Sequence, residues 1–309
     1  MKYRVMGKSG LRVSVIGVGT WQFGGEWGKN FEQREVTAMF ARARELGINL
    51  IDTAECYGDH TSEAFIGQAL RELGARKDFV IATKFGHKFH EVFKRTEPRT
   101  GPDIEQQLED SLRSLQTDVI DLYQYHSWGD AQYESDEVRS VLEKAKRAGK
   151  IKHIGNSVGP NDKSYQVERS EKYDVEAIQI IYNRLQRQPE AEVLDVCRKL
   201  NLGVLARVPL ASGYLSGKYK PGASFPVGDV REKWHKPEDR DAKLREVEEI
   251  AKNEVPAGVP MARWALAWCL LHPAVTCVIP GCKDVKQVEE NARAADLDLV
   301  SDKHPQAVR

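Results

Sequence analysis

Asn49 to Gly58 reads N-L-I-D-T-A-E-C-Y-G, and this stretch decides the reading of the whole chain. Leu50 and Ile51 are apolar, and polarity begins abruptly at Asp52. A buried strand that ends at a functional face has this profile: apolar to its last turn, then an acid, then a loop. Two further strand-like runs end in ionisable residues, F-V-I-A-T-K at Lys84 and V-I-D-L-Y-Q-Y-H at His126, and Tyr57 follows shortly after Asp52. Taken singly, an Asp after a strand caps a turn, a Tyr there is a rim aromatic, a Lys is a solvated charge and a His is a structural hydrogen-bonding residue. At the ends of successive parallel strands they all face one pocket, because barrel strands converge on one side.

The segments on either side extend the pattern. Tyr3 to Ser14 reads as a hairpin about Gly7-Lys8-Ser9-Gly10, expected to plug one end of the strand assembly. Val13 to Val18 is strand-like and leads into G-V-G-T-W-Q-F-G-G, where Gln22 stands in the place of the third glycine of a dinucleotide fingerprint. An open doubly wound sheet loses its main support there. Val36, Met39, Phe40, Ala43 and Leu46 recur at helical spacing up to Gly47, and Phe65, Ile66, Ala69, Leu70 and Leu73 do so after the opening stretch. The strand to Lys84 precedes a polar loop through Pro98 and Gly101, then a helix with Pro102 in its first turn and Ile104, Leu108, Leu112 and Leu115 on one face. The strand to His126 is followed by a helix carrying Val138, Val141, Leu142 and Ala145 and ending at Gly149.

The second half repeats the alternation. Strands are expected over 151–156, 177–181, 203–206 and 275–279. Helices are expected over 162–172, around Val193 to Leu200, over 241–252, 261–271 and 285–294, with a long loop from Arg207 to about Asp239. Eight strand–helix units without a linker-like break argue for an α/β chain forming a single closed (β/α)8 (TIM) barrel domain over residues 1–309, with an N-terminal β-hairpin.

Composition excludes several classes of function. A chain of 309 residues with 41% hydrophobic residues buries a substantial core. Lys plus Arg equal Asp plus Glu at 46 each, so no global field recruits nucleic acid or an anionic membrane. No apolar run approaches bilayer-spanning length, and M-K-Y-R at the start lacks a signal-peptide core. Five cysteines without CxxC spacing fit reduced thiols in a cytoplasmic protein. His87 and His90 in H-K-F-H have metal-like spacing but no clear third ligand, and read as a solvated loop. No metal is expected, which counts against a metal-dependent hydrolase on the same barrel.

The motifs resemble the aldo-keto reductase family over essentially the whole chain. G-V-G-T-W-Q-F-G-G, D-T-A-E-C-Y-G, Lys84, Y-Q-Y-H, I-P-G and Q-V-E-E-N all match its pattern. The segment P-L-A-S-G-Y-L-S-G-K-Y is most similar to the prokaryotic branch, which also resembles potassium-channel β subunits. The resemblance implies NADP(H) bound in extended form across the strand ends and reduction of small-molecule aldehydes and ketones. The alternative it allows is an NADP(H)-binding regulatory subunit. Asp52, Tyr57, Lys84 and His126 match the family's catalytic tetrad. Tyr57 would protonate the developing alkoxide, Lys84 beside it would lower the phenol pKa, Asp52 would hold Lys84, and His126 would orient the carbonyl.

The resemblance also implies cofactor contacts. Gly19, Thr20, Trp21 and Asp52 belong to its strand-end motifs, and Ser157 and Gln179 match residues that hold the carboxamide. Pro209, Leu210, Ser212, Gly213, Leu215, Gly217 and Lys218 match the loop that covers the pyrophosphate. Gly281, Lys283, Gln287, Glu290 and Asn291 match the adenosine end, with Lys283 placed for a 2′-phosphate. Arg207 stands where many members carry an aromatic residue against the nicotinamide, and its planar guanidinium can stack likewise. Trp21 and Trp128 are expected to line the substrate pocket with Tyr57 and His126, and Trp27, Phe85 and Trp234 are further aromatic candidates.

Overall fold

A computed structural model describes residues 1–309 except Val92, Phe93, Arg99, residues 160–163, Gly228, His235 and Arg309. The chain begins with the antiparallel pair β1 (Tyr3–Val5) and β2 (Arg12–Ser14). Next come β3 (Val18–Gly19), α1 (Gln33–Glu45), β4 (Leu50–Asp52), α2 (Thr61–Glu72) and β5 (Val80–Phe85). A second antiparallel pair, β6 (Lys88–Glu91) and β7 (Lys94–Thr96), occupies the segment expected to be a polar loop. Then follow α3 (Gly101–Ser114), β8 (Ile120–His126), α4 (Asp130–Tyr133), α5 (Asp136–Arg147), β9 (Ile151–Ser157) and α6 (Tyr165–Glu168). The chain continues with β10 (Val175–Ile181), α7 (Val193–Lys199), β11 (Gly203–Arg207), α8 (Pro237–Asn253), α9 (Met261–Cys269), β12 (Cys277–Val278) and α10 (Val285–Ala292).

Strands β3, β4, β5, β8, β9, β10, β11 and β12 form one parallel eight-stranded sheet in chain order. Parallel bridges Ile16–Val278 and Gly19–Gly281 join its two edges. Amide bonds from Gly17 N to Val278 O (2.8 Å) and from Gly19 N to Pro280 O (3.0 Å) complete the closure, giving the (β/α)8 barrel. The helix expected over 162–172 is only the four residues of α6, and Asp162 lies outside the described residues. A single turn there fits the sparse apolar spacing of a charged segment.

Local signals fix the outer helices. A reciprocal Glu32–Glu35 capping box starts α1, and Thr100 caps α3 with Pro102 in its first turn. Val36, Met39, Phe40 and Ala43 of α1 are buried against the sheet. Each large apolar side chain so buried contributes about 1.5–3 kcal/mol relative to exposure.

Inside the barrel, side chains alternate along each strand with period two. The lower layer is Leu50, Ala82, Leu122, Ala177, Leu205 and Cys277, packed against Met6 and Val13 of the hairpin segment, which closes that end. Two residues further along five of these strands stand Asp52, Lys84, Gln124, Gln179 and Arg207, while Ile279, two after Cys277, stays apolar. The register thus converts an apolar plug into a polar floor within one layer. Among the described residues no helix is long and apolar enough to cross a membrane, and all five cysteines are free and buried.

Candidate active site

Lys84 is the centre of the polar floor. Its side chain is fully buried, and its ammonium donates to Asp52 Oδ2 (2.8 Å), Thr53 O (2.7 Å) and the Tyr57 hydroxyl (3.3 Å). The other Asp52 oxygen accepts from Gln179 Nε2 (2.6 Å) and, more weakly, from Gln124 Nε2 (3.5 Å). Strand geometry therefore sets the Asp52–Lys84 pair, with adjacent β4 and β5 pairing Asp52 with Ala82. Tyr57 is set by backbone packing instead. A Cβ on Gly24 would lie 2.7 Å from the Tyr57 carbonyl carbon, and one on Gly58 2.8 Å from Gly24 O. Only two glycines let the loop after β3 run this close across Tyr57.

His126 ends β8 with its ring 6.0 Å from that of Tyr57 between centroids, and its Nδ1 is 3.6 Å from the Cys56 thiol. Burial, then the nearby His87 and Lys84, hold the His126 pKa well below the ordinary imidazole value, so the ring is neutral at neutral pH. Burial also pushes the Tyr57 phenol up to about 12, although Lys84 opposes it. Lys84 does act in the expected direction, lowering this pKa, but desolvation outweighs the ammonium and the net shift is upward. Burial alone would lower the Lys84 pKa, but Asp52 and Tyr57 more than offset it and the pKa is raised. The arrangement is a neutral acid beside a fixed cation, with a neutral imidazole across from it.

Above this floor opens a cavity of about 810 Å³. One end holds Trp21, Tyr57, His87, Arg95, His126 and Arg207; the far end holds Arg263, Lys283, Lys286, Gln287, Glu290 and Asn291. Asp52 and Gln179 of the floor, and Gly19, Thr20, Pro209, Leu210, Ser212, Gly213, Lys218 and Gly281, also line it. Along the loop after β11, Val208, Ala211 and Ser212 all take positive φ, between 48° and 58°. A β-branched residue there is strained, by about 1–3 kcal/mol, and such strain gathers at ligand clamps. Trp27 pairs with Asp229 and Val230 N donates to Glu26 O (3.1 Å), so the loops after β3 and β11 are joined at the rim.

The far end is built around a helix start. Asp284 caps α10 by accepting from Gln287 N (2.7 Å), and Gln287 Oε1 in turn accepts from Lys283 N (3.1 Å). Lys283 Nζ donates to Trp27 O (2.9 Å), and burial lowers its pKa. Arg207 donates to Val158 O (3.0 Å) rather than to a carboxylate, and its Nε is buried without a partner.

Some expected residues lie elsewhere. Trp128 does not line the cavity: it is buried against Phe85 and Tyr125, its indole donating to Gly86 O (3.0 Å). Phe85 is itself core. Ser157 lies buried outside the cavity lining, its hydroxyl on Gln179 Oε1 (3.4 Å), and the amide of Gln179 is spent on Asp52. Leu215 is core in a cluster with Leu244 and Trp264, and Gly217 ends a turn beside Met261 instead of lining the cavity. His87 is no solvated loop residue; its ring sits 4.7 Å from that of His126, while His90 bonds Thr96 on the exposed hairpin. Sequence reasoning missed Gln124, whose signal is an inward polar residue two before His126, and Arg95, which has no local signal.

The profile of the aldo/keto reductase family matches residues 15–308. An NADP(+) aldo-keto reductase of Schizosaccharomyces pombe, yakc, is 31% identical over 294 residues, covering 93% of this chain and 85% of its own. The aldo-keto reductase YhdN of Bacillus subtilis is 31% identical over 301 residues, covering 94% and 87%. Among solved structures, the holo form of aldo-keto reductase AKR11C1 from Bacillus halodurans superimposes with a TM-score of 0.80 at 29% identity, over 99% of this chain and 94% of its own. The glycerol dehydrogenase AKR11B4 from Gluconobacter oxydans gives 0.77 at 28% identity, over 100% and 97%.

Proposed function

Since the chain belongs to the aldo/keto reductase family, we propose that it reduces small-molecule aldehydes and ketones to alcohols with NADPH, Tyr57 giving the proton. The observation that carries this reading is the Lys84 ammonium shared between Asp52 and the Tyr57 hydroxyl on the cavity floor. The cavity fits an anionic cofactor: about 810 Å³, with Lys218, Lys283 and Lys286 in its lining. Lys283 would hold the 2′-phosphate, the segment 208–213 the pyrophosphate, and Arg207 would lie against the nicotinamide. When bound, the cofactor supplies the hydride.

The chain's own residues do the rest. Tyr57 is protonated at neutral pH, as any phenol is. Burial holds the proton more tightly by raising its pKa to about 12, so it is given up only as the carbonyl oxygen becomes a strongly basic alkoxide. As the proton leaves, a phenolate forms 3.3 Å from the Lys84 ammonium. That attraction exists only once charge develops, so it favours the transition state over the ground state. Asp52, held in turn by Gln179, keeps Lys84 aimed. Neutral His126 can donate one N–H to the carbonyl oxygen without bringing charge. The test is loss of nicotinamide absorbance when the purified chain meets NADPH and a panel of aldehydes, dicarbonyls and ketones. Turnover of several members is expected; turnover of none would contradict the proposal.

A further inference from the structure

The hairpin β6–β7 brings Arg95 to the end of the cavity where the carbonyl must lie. Its neighbours Lys94 and Thr96 are exposed, whereas Arg95 turns inward and lines the cavity with Tyr57, His87 and His126. The guanidinium is held by Glu26, a carboxylate only 1% exposed on the loop after β3. The other Glu26 oxygen accepts from the indole of Trp21, whose ring is stacked 6.1 Å from Tyr57. One buried acid therefore fixes both an arginine and an aromatic plate beside the proton donor.

Glu26 does not exhaust this arginine. A guanidinium carries five donors, and the Arg95 Nε is buried without a partner. Three cations, Lys84, Arg95 and Arg207, face two ionised carboxylates, Asp52 and Glu26, around the reacting centre. A third acid, Glu55, lies within 4.8 Å of a His126 ring nitrogen and is largely protonated at neutral pH, because burial raises its pKa to about 8. His87 and His126 add no charge, because burial lowers the pKa of each. An excess of positive charge in a partly desolvated slot selects for anionic ligands. The matching group is a carboxylate or phosphate, which a fixed guanidinium binds in a fork.

Building on the reductase reading, we infer that Arg95 is a specificity residue and that the preferred substrates are small carbonyl compounds bearing a carboxylate or phosphate. Arg95 binds the anionic group while Tyr57 and His126 engage the carbonyl oxygen. The competing account is that Arg95 only neutralises Glu26 and braces the hairpin.

Two matched pairs separate these accounts: succinic semialdehyde against butanal, and glyceraldehyde 3-phosphate against glyceraldehyde. Wild-type kcat/KM should favour the charged member by about 10- to 100-fold, the range of a charge-assisted hydrogen bond. The pair with the larger ratio identifies carboxylate or phosphate as the group read. Arg95→Gln should bring that ratio close to one, chiefly by raising KM for the charged member; Arg95→Lys should restore part of it. The double variant Arg95→Gln/Glu26→Gln leaves no buried charge unpaired and should behave like the single one. A wild type that reduces the neutral aldehydes without preferring their charged partners overturns this inference and leaves the reductase reading standing. So does an equal loss for both members in both variants. A wild type that reduces none of the four overturns this inference, and the reductase reading is then decided by the wider panel of dicarbonyls and ketones.

Discussion

The floor of the cavity and its rim are held by different means. Asp52, Lys84 and Gln179 on the floor sit on strands two residues above an apolar layer, and bonds of 2.6–2.8 Å link them. The rim is assembled from loops joined by pairs distant in sequence: Glu26 with Arg95, Trp27 with Asp229, Lys283 with the Trp27 carbonyl. Strand register places a side chain wherever the backbone pairs, whatever that side chain is. A loop residue is placed only by the particular partner it finds. Substitutions on the floor should therefore cost both stability and chemistry, and those on the rim should change ligand preference with the fold intact.

The largest effect is expected from Lys84→Met. It strips Asp52 of its counter-charge in a site where both side chains are almost wholly buried. Losing one partner of such a pair costs about 3–5 kcal/mol. Chemical denaturation should show that loss, alongside loss of turnover. Asp52→Asn, which keeps an acceptor for Gln179, should cost less in both measurements. Full stability in Lys84→Met would break the distinction between floor and rim.

Lys283→Glu tests the rim. NADPH affinity should fall by about 10- to 100-fold, the scale of a charge-assisted bond to phosphate, with a much smaller loss for NADH and little change in melting temperature. Equal losses for the two cofactors, measured by fluorescence quenching, would show that this lysine reads no phosphate.

The smallest change expected is with pH. Burial raises the Tyr57 pKa to about 12, so the phenol remains protonated throughout the neutral and mildly alkaline range. The rate of the reductive chemical step should stay level up to about pH 10 and fall only as the phenol ionises. A fall centred near neutrality that persists in Glu55→Gln, which removes the buried carboxyl whose pKa is raised to about 8, would show that Lys84 controls the phenol more strongly than burial does.

The same contrast explains what could be read from the sequence. Asp52, Lys84 and His126 were legible because each interrupts an apolar run, and period-two alternation then fixes the direction of its side chain. The eight-unit barrel followed from repetition of that signal. The hairpin β6–β7 was not legible, since K-F-H-E and K-R-T lack an apolar alternation and Arg95 turns inward only because Glu26 waits there. Trp128 misled for a related reason: a tryptophan just past a strand end can face the pocket or the core. Its indole proton found Gly86 O in the core. The direction of the Tyr57 pKa shift was not legible either, because a motif names the ammonium beside the phenol and says nothing of the depth of burial.

The central claim is that Tyr57 supplies the proton, and the most direct test compares wild type with Tyr57→Phe in a single turnover with NADPH prebound. The ring still fills its place beneath Trp21, so the cofactor dissociation constant should remain within about twofold of wild type, while the rate of carbonyl reduction falls by at least about 100-fold, the lower end for removing a general acid. Tight NADPH binding together with substantial reduction in Tyr57→Phe would contradict the assignment.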